Sequence, residues 1–282
     1  MDDHLLIAVG PRVLRVHAPV HSSGDGMPIV YLHGGLGSIL ERPANDRVIA
    51  PLGIRLIRIE RPGFGASSRH AGRTLATWAD DVRAVLDALG LARVGLLGWS
   101  GGAPHALAVA ALAPERVTAV ALVGAGVQDP AWRLDPGDAA AFARFTEETN
   151  ARVAAMTKLA GQGTALVDVI LGRMPEVDRA VSGEVRAMLA ASYAEALRGD
   201  GGALDEMVAL RTPWPFEPGA IAAPVHVWTG ALDQSTPPAG AQALVDALPR
   251  ARHDVLPERG HNLIFSDAER ILAALRDAVR AA

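Results

Sequence analysis

Gly98-Trp99-Ser100-Gly101-Gly102 is the stretch that decides how this chain is read. It matches G-x-S-x-G, and it lies between two segments of different character. Val94 to Trp99 reads as a buried strand, and Gly102 to Ala113 reads as a helix that stops before Pro114. A sharp strand-to-helix turn tolerates no bulky side chain on either side of its central residue. Such a turn lifts a serine oxygen out of a sheet and sets it beside a helix N-terminus. Free N–H groups and the helix dipole there favour developing negative charge. Ser100 is therefore the candidate nucleophile.

The segments on both sides of the elbow repeat its strand-helix alternation. Leu5 to Val20 reads as two antiparallel strands turning near Gly10-Pro11. Ile29 to Leu32 is an apolar strand that stops at His33-Gly34-Gly35, and Ile54 to Ile59 is a further strand that stops at Arg61-Pro62-Gly63. Thr74 to Leu89 carries apolar residues at helical spacing, with Thr74 as N-cap and Gly90 beyond the end. Val117 to Val123 is a further strand. Strands separated by helices imply βαβ units and a parallel sheet, and strands apolar along their whole length suit burial on both faces. The alternation lapses between residues 127 and 216, where helical segments (Ala139–Leu159, Thr164–Leu171, Val181–Leu197) occur without a strand. It resumes with the strand Val225–Trp228, a helix Ala239–Leu248, a strand His253–Leu256 and a last helix Ile264–Ala281. The expected organisation is an α/β core from residues 1–126 and 217–282, with an all-helical cap at 127–216.

Composition narrows the function. Half the residues are hydrophobic and 21% are charged with both signs mixed, which is a globular balance. A net charge of -4 without a Lys/Arg run speaks against a nucleic-acid partner. The chain has no cysteine, so disulfides, thiolate nucleophiles and Cys-ligated zinc are excluded. The start Met1-Asp2-Asp3-His4 is acidic, unlike a signal peptide, and no run of about 18 apolar residues occurs. A cytoplasmic protein that is a monomer or homodimer, with a small-molecule substrate and no membrane partner, is expected. Asp80-Asp81 has no second ligand cluster to make a metal site, so no metal or cofactor is expected.

A serine hydroxyl needs a base. Of nine histidines, His261 in Glu258-Arg259-Gly260-His261-Asn262 follows the last strand and precedes the last helix. His4, His17 and His21 belong to the N-terminal strands and are expected to be exposed, His70 sits in a polar loop, and His226 and His253 fall in or beside strands as structural groups. His105, on the helix after Ser100, is read as a packing residue or as one that supports the site from behind. The base needs a carboxylate to fix its tautomer. Asp233, in Thr229-Gly230-Ala231-Leu232-Asp233, lies just past a strand at the carboxyl edge of the sheet. Asp129, after the strand ending at Val123, is the rival. Backbone N–H groups of Gly35 and Gly101 are the candidate oxyanion hole, with neutral His33 bracing its loop. Leu36 and Trp99 are candidate substrate contacts. Trp132, Phe142, Phe145, Met156, Met174, Met188 and Tyr193 supply the cap with large apolar groups, some for a pocket and most for its core.

Together, His33-Gly34-Gly35 with Gly37-Ser38, Arg61-Pro62-Gly63-Phe64-Gly65-Ala66-Ser67, the Ser100 elbow, Gly230 to Asp233, and Gly260-His261 resemble the α/β-hydrolase superfamily, in its order and over nearly the whole chain. The resemblance implies a mostly parallel, doubly wound, eight-stranded sheet with a helical cap between strands six and seven. It implies a serine hydrolase acting on a carboxylic ester or related acyl bond of a small apolar substrate. The glycine loop is similar to that of proline iminopeptidases, but Leu36 stands where those carry proline. A Ser at position 100 disfavours the members with an aspartate nucleophile. An aminopeptidase, a cofactor-free perhydrolase and a small-ligand receptor on the same fold are the alternatives.

Overall fold

Eight strands form one sheet in the order β1-β2-β4-β3-β5-β6-β7-β8. The computed structural model describes residues 4–19, 26–128, 130–199 and 201–282. The strands are β1 (His4–Val9), β2 (Arg12–His17), β3 (Met27–Leu32), β4 (Ile54–Ile59), β5 (Val94–Trp99), β6 (Val117–Val123), β7 (Val225–Gly230) and β8 (Ala251–Leu256). The β1–β2 and β2–β4 pairings are antiparallel and all others are parallel. Residues of each inner strand alternate between two apolar clusters. Val30, Leu32, Leu96, Val120 and Leu122 enter one, while Ile29, Tyr31, Leu97, Ala121 and Val123 enter the other. The strands are therefore buried on both sides, as the unbroken apolar runs require.

The helices are α1 (Asp46–Ile49), α2 (Leu75–Ala88), α3 (Gly102–Leu112), α4 (Ala139–Ala160), α5 (Ala165–Gly172), α6 (Glu176–Arg179), α7 (Gly183–Ala196), α8 (Gly202–Arg211), α9 (Pro238–Ala247), α10 (Leu263–Ser266) and α11 (Ala268–Arg280). α4 to α8 lie between β6 and β7 and form a helical cap. Local signals set several boundaries. Thr74 and Thr77 close a capping box at the start of α2, and Gly90 adopts φ 65° after its end.

Some expectations need correction. The strand expected at 253–256 begins at Ala251, paired along its length with β7. The single last helix is two, broken at Asp267, whose φ of -118° is not helical. His4 and His17 are half-buried, their rings 5.2 Å apart across the β1–β2 pair. His21 lies outside the described residues. Helix α8 was not expected. It buries Asp205 and Glu206 beside small alanines, so no apolar stripe marks it. No helix among the described residues is long and apolar enough to cross a membrane. Asp81 pairs with Arg12 at 2.5 Å and Asp80 with Arg83 at 3.0 Å.

Candidate active site

The strand order reverses direction between β3 and β5: the chain leaves β3 for β4 on one side and returns to β5 on the other. Crevices in open α/β sheets form at such a point, beyond the carboxyl ends of the strands. The loop after β3 and the elbow after β5 meet there.

Ser100 has φ 50°, and it is the only non-glycine residue with positive φ among those described. A left-handed conformation of this kind costs about 1–3 kcal/mol and persists only where the surroundings impose it. They do so here through close packing. The Ser100 N–H donates to the Val123 carbonyl at 2.9 Å, and the Ala103 N–H donates to the Ser100 carbonyl at 2.9 Å. A Cβ on Gly98 would stand 2.7 Å from the Gly102 carbonyl oxygen, so the turn closes only around glycine.

His261 and Asp233 converge on the elbow from the ends of β8 and β7. His261 Nε2 lies 2.8 Å from Ser100 Oγ, and its Nδ1 lies 2.9 Å from Asp233 Oδ2. The other oxygen of Asp233 accepts the N–H groups of Ser235 and Thr236, each at 2.8 Å. That carboxylate is fixed by its own turn and presents one oxygen to the histidine. The histidine loop is tied on two sides: Trp99 Nε1–H donates to the His261 carbonyl at 3.1 Å, and the Asn262 N–H donates to Asp178 Oδ1 of α6 at 2.7 Å. Asp129 lies outside the described residues.

Gly35 and Gly101 stand against each other. A Cβ on Gly101 would be 2.8 Å from the Gly35 nitrogen. Among the described residues, neither N–H has a hydrogen-bond partner. The Gly34 peptide groups are held from both directions. Its N–H donates to Glu41 Oε1 at 2.7 Å, and its carbonyl accepts from Arg61 Nη2 at 2.5 Å. Arg61 Nη1 also donates to the His33 carbonyl at 2.7 Å. Burial, with Arg61 close by, drives His33 well below its ordinary range, and its Nδ1 lies 3.0 Å from the Gly34 carbonyl. Burial raises Glu41 to about 7; the Gly34 N–H and the Tyr31 hydroxyl only partly offset it. His105 lies behind the elbow: its Nδ1 is 2.8 Å from the Gly101 carbonyl, and burial lowers it to about 3.

A cavity of about 430 Å³ opens on this group. Leu36 and Trp99 line it, as do Ser100 and His261. Val167, Ile170, Leu171, Met174, Leu189 and Tyr193 of the cap make it mostly apolar. Of the large cap residues singled out in the sequence, only Met174 and Tyr193 reach it. Trp132 is 60% exposed, with Arg211 stacked 5.0 Å from its ring, and Met188 lines a separate groove. Sequence reasoning missed Glu41, Asn262, Arg173 and the small cap aliphatics on the cavity wall. Of these only Asn262 carried a local signal, its place beside His261.

The model of the alpha/beta hydrolase fold family matches residues 27–268, most of the chain. The chain belongs to the α/β-hydrolase fold family. BpoC of Mycobacterium tuberculosis, which carries the name of a non-heme bromoperoxidase, is 26% identical over 90% of this chain and 94% of its own length. A 2-hydroxymuconate semialdehyde hydrolase from Pseudomonas sp. strain CF600 is 37% identical over 44% of each chain. The enol-lactonase from Burkholderia xenovorans LB400 superposes with a TM-score of 0.75 at 22% identity, covering 98% of this α/β-hydrolase and all of that chain. This last likeness is one of fold.

Proposed function

We propose that this α/β-hydrolase is a serine hydrolase that cleaves a carboxylic ester, or a related acyl bond, of a small apolar substrate. The observation that carries this reading is the Asp233–His261–Ser100 relay, at 2.9 and 2.8 Å, opening on an apolar cavity beside two unpartnered N–H groups. The serine proton moves to His261 Nε2 as Oγ attacks the substrate carbonyl. Asp233 holds Nδ1–H and stabilises the imidazolium that forms. The N–H groups of Gly35 and Gly101 receive the oxyanion. His261 then protonates the leaving oxygen, and an alcohol departs from an acyl-Ser100. Water, deprotonated by His261, attacks the acyl carbon and releases the acid with Ser100 restored. The division of the chain into a core at 1–126 and 217–282 and a cap at 127–216 assigns specificity to the cap, which supplies most of the cavity's apolar wall.

A panel of p-nitrophenyl and alkyl esters, lactones and amides tests the reading. Turnover of short esters by the wild type, with turnover lost in Ser100→Ala, is the expected result. Full turnover in Ser100→Ala would overturn it. Similarity to BpoC along almost the whole chain favours one second activity, perhydrolysis. Hydrogen peroxide would take the place of water at the acyl-Ser100, releasing a peracid and the free serine. Peracid formation in the same panel measures it.

A further inference from the structure

Helix α8 reaches under the oxyanion loop with a carboxylate that has no exposure to solvent. Glu206 Oε2 accepts from Arg73 Nη2 at 2.6 Å, makes an ion pair with Arg61 Nε at 3.2 Å, and lies 3.5 Å from His105 Nε2. Burial opposes its charge, but Arg61, His105 and Arg73 together hold its carboxyl below the ordinary range. All three partners belong to the core, whereas Glu206 comes from the cap. Arg61 continues from this ion pair to the carbonyls of His33 and Gly34. His105 continues to the carbonyl of Gly101.

The carbonyl of Gly34 and the N–H of Gly35 share one planar, trans peptide. A guanidinium that takes the carbonyl therefore sends the N–H the opposite way, and a Cβ on Gly101 would stand 2.8 Å from that nitrogen. Two buried guanidinium groups face one carboxylate. Without it, Arg61 and Arg73 would be like charges left in a low-dielectric interior, and Arg61 would lose its hold on the loop. The same helix also covers the loop directly. A Cβ on Gly35 would be 3.9 Å from Met207 Cε, and one on Gly101 would be 3.5 Å from Leu210 Cδ1.

We propose that Glu206 is a positioning residue: through Arg61 it keeps the Gly35 N–H turned toward the elbow, so that the oxyanion hole is complete only while helix α8 is seated on the core. This rests on the serine-hydrolase reading. An oxyanion exists only in the transition state and the tetrahedral adduct, so a displaced donor lowers kcat and leaves KM nearly unchanged.

Glu206→Gln keeps the shape and one acceptor oxygen but removes the charge. The test measures kcat and KM on the best ester of the panel and the inhibition constant of a trifluoromethyl ketone, which forms a tetrahedral oxyanion with the serine. Circular dichroism and the thermal midpoint report whether the variant is folded. The expected result is a kcat lower by about 10- to 100-fold, a parallel loss of ketone affinity, and KM within about twofold of wild type. A raised KM at unchanged kcat, or a lowered midpoint with kcat and ketone affinity intact, would overturn the proposal. If Glu206→Gln does not fold, Arg61→Lys decides instead. It keeps the charge but loses the two-pronged grip on the carbonyls, and the same pattern is expected. Wild-type protein that reacts with neither ester nor ketone would overturn the serine-hydrolase reading itself, and the two failures are thereby told apart.

Discussion

In the core, Ser100, Asp233 and His261 are set in place by apolar strands and tight turns, and Gly35 and Gly101 by close backbone contact. The cap reaches the same loops with buried polar side chains: Asp178 to the histidine loop, Glu206 to the oxyanion loop through Arg61, and Ser192 to the Ser38 N–H at 2.8 Å. The core supplies the groups that the proposed reaction would use, in turns whose placement tolerates little change. The cap supplies an apolar wall and three polar latches that tie that wall to the reacting groups. On the proposed reading, a cap held this way would be coupled to the chemistry, because the groups that seat it also contact the loops of His261 and Gly35.

Substitutions on the two sides of this division should separate. The largest loss is expected in the core. Asp233→Asn should lower kcat by about 10⁴-fold on an ester substrate, because the histidine loses the partner that fixes its tautomer. Asp129→Asn, made beside it, should leave kcat near wild type; the reverse outcome would transfer the acid role to Asp129. Asp178→Ala removes a cap latch without touching a reacting group. Steady-state kinetics should show kcat down by about 10- to 100-fold, since the loop carrying His261 loses a backbone anchor. An unchanged kcat would mean that the core positions the histidine unaided.

Smaller effects are expected on stability. Burial raises Glu41 from 4.5 to about 7, so between those values the native state binds a proton that the unfolded chain has released. The stability from this group is full below about pH 4.5 and is lost as pH rises through about 7. The thermal midpoint of Glu41→Gln should therefore fall less than that of wild type between about pH 5 and pH 8. Ser100→Gly should relieve the left-handed strain that Ser100→Ala retains. Its midpoint should exceed that of Ser100→Ala by a few degrees, from about 1 kcal/mol of relief. Equal midpoints would mean that the elbow stores little strain.

The same division explains what could be read from the chain alone. The inner strands β3, β5 and β6 announce themselves as apolar runs, and the loops that follow β3 and β5 as glycine pairs. The elbow, the His33 loop and the order of Ser100, Asp233 and His261 follow from those signals. Helix α8 leaves no such mark, because two acids, Asp205 and Glu206, stand among its buried positions beside Ala203 and Ala209. The partners of Glu206 lie 133 residues away in Arg73 and further still in Arg61. No local periodicity reports a pairing over that distance. Asp178 sits on a helix of one turn and meets Asn262 from 84 residues away, and Glu41 falls in an irregular stretch after the glycine loop. Buried charge pairs are products of tertiary approach, and the sequence holds only their separate halves.

If Ser100 is an activated nucleophile, it should react with an electrophilic phosphonate, and His261 should set the rate. Wild-type protein, Ser100→Ala and His261→Ala are each incubated with a fluorophosphonate, and the adduct is mapped by mass spectrometry of the digested chain. A single phosphonyl group on Ser100 in the wild type, absent from Ser100→Ala and strongly slowed in His261→Ala, is the expected result. No adduct on the wild type, or one at the same rate without His261, would contradict it.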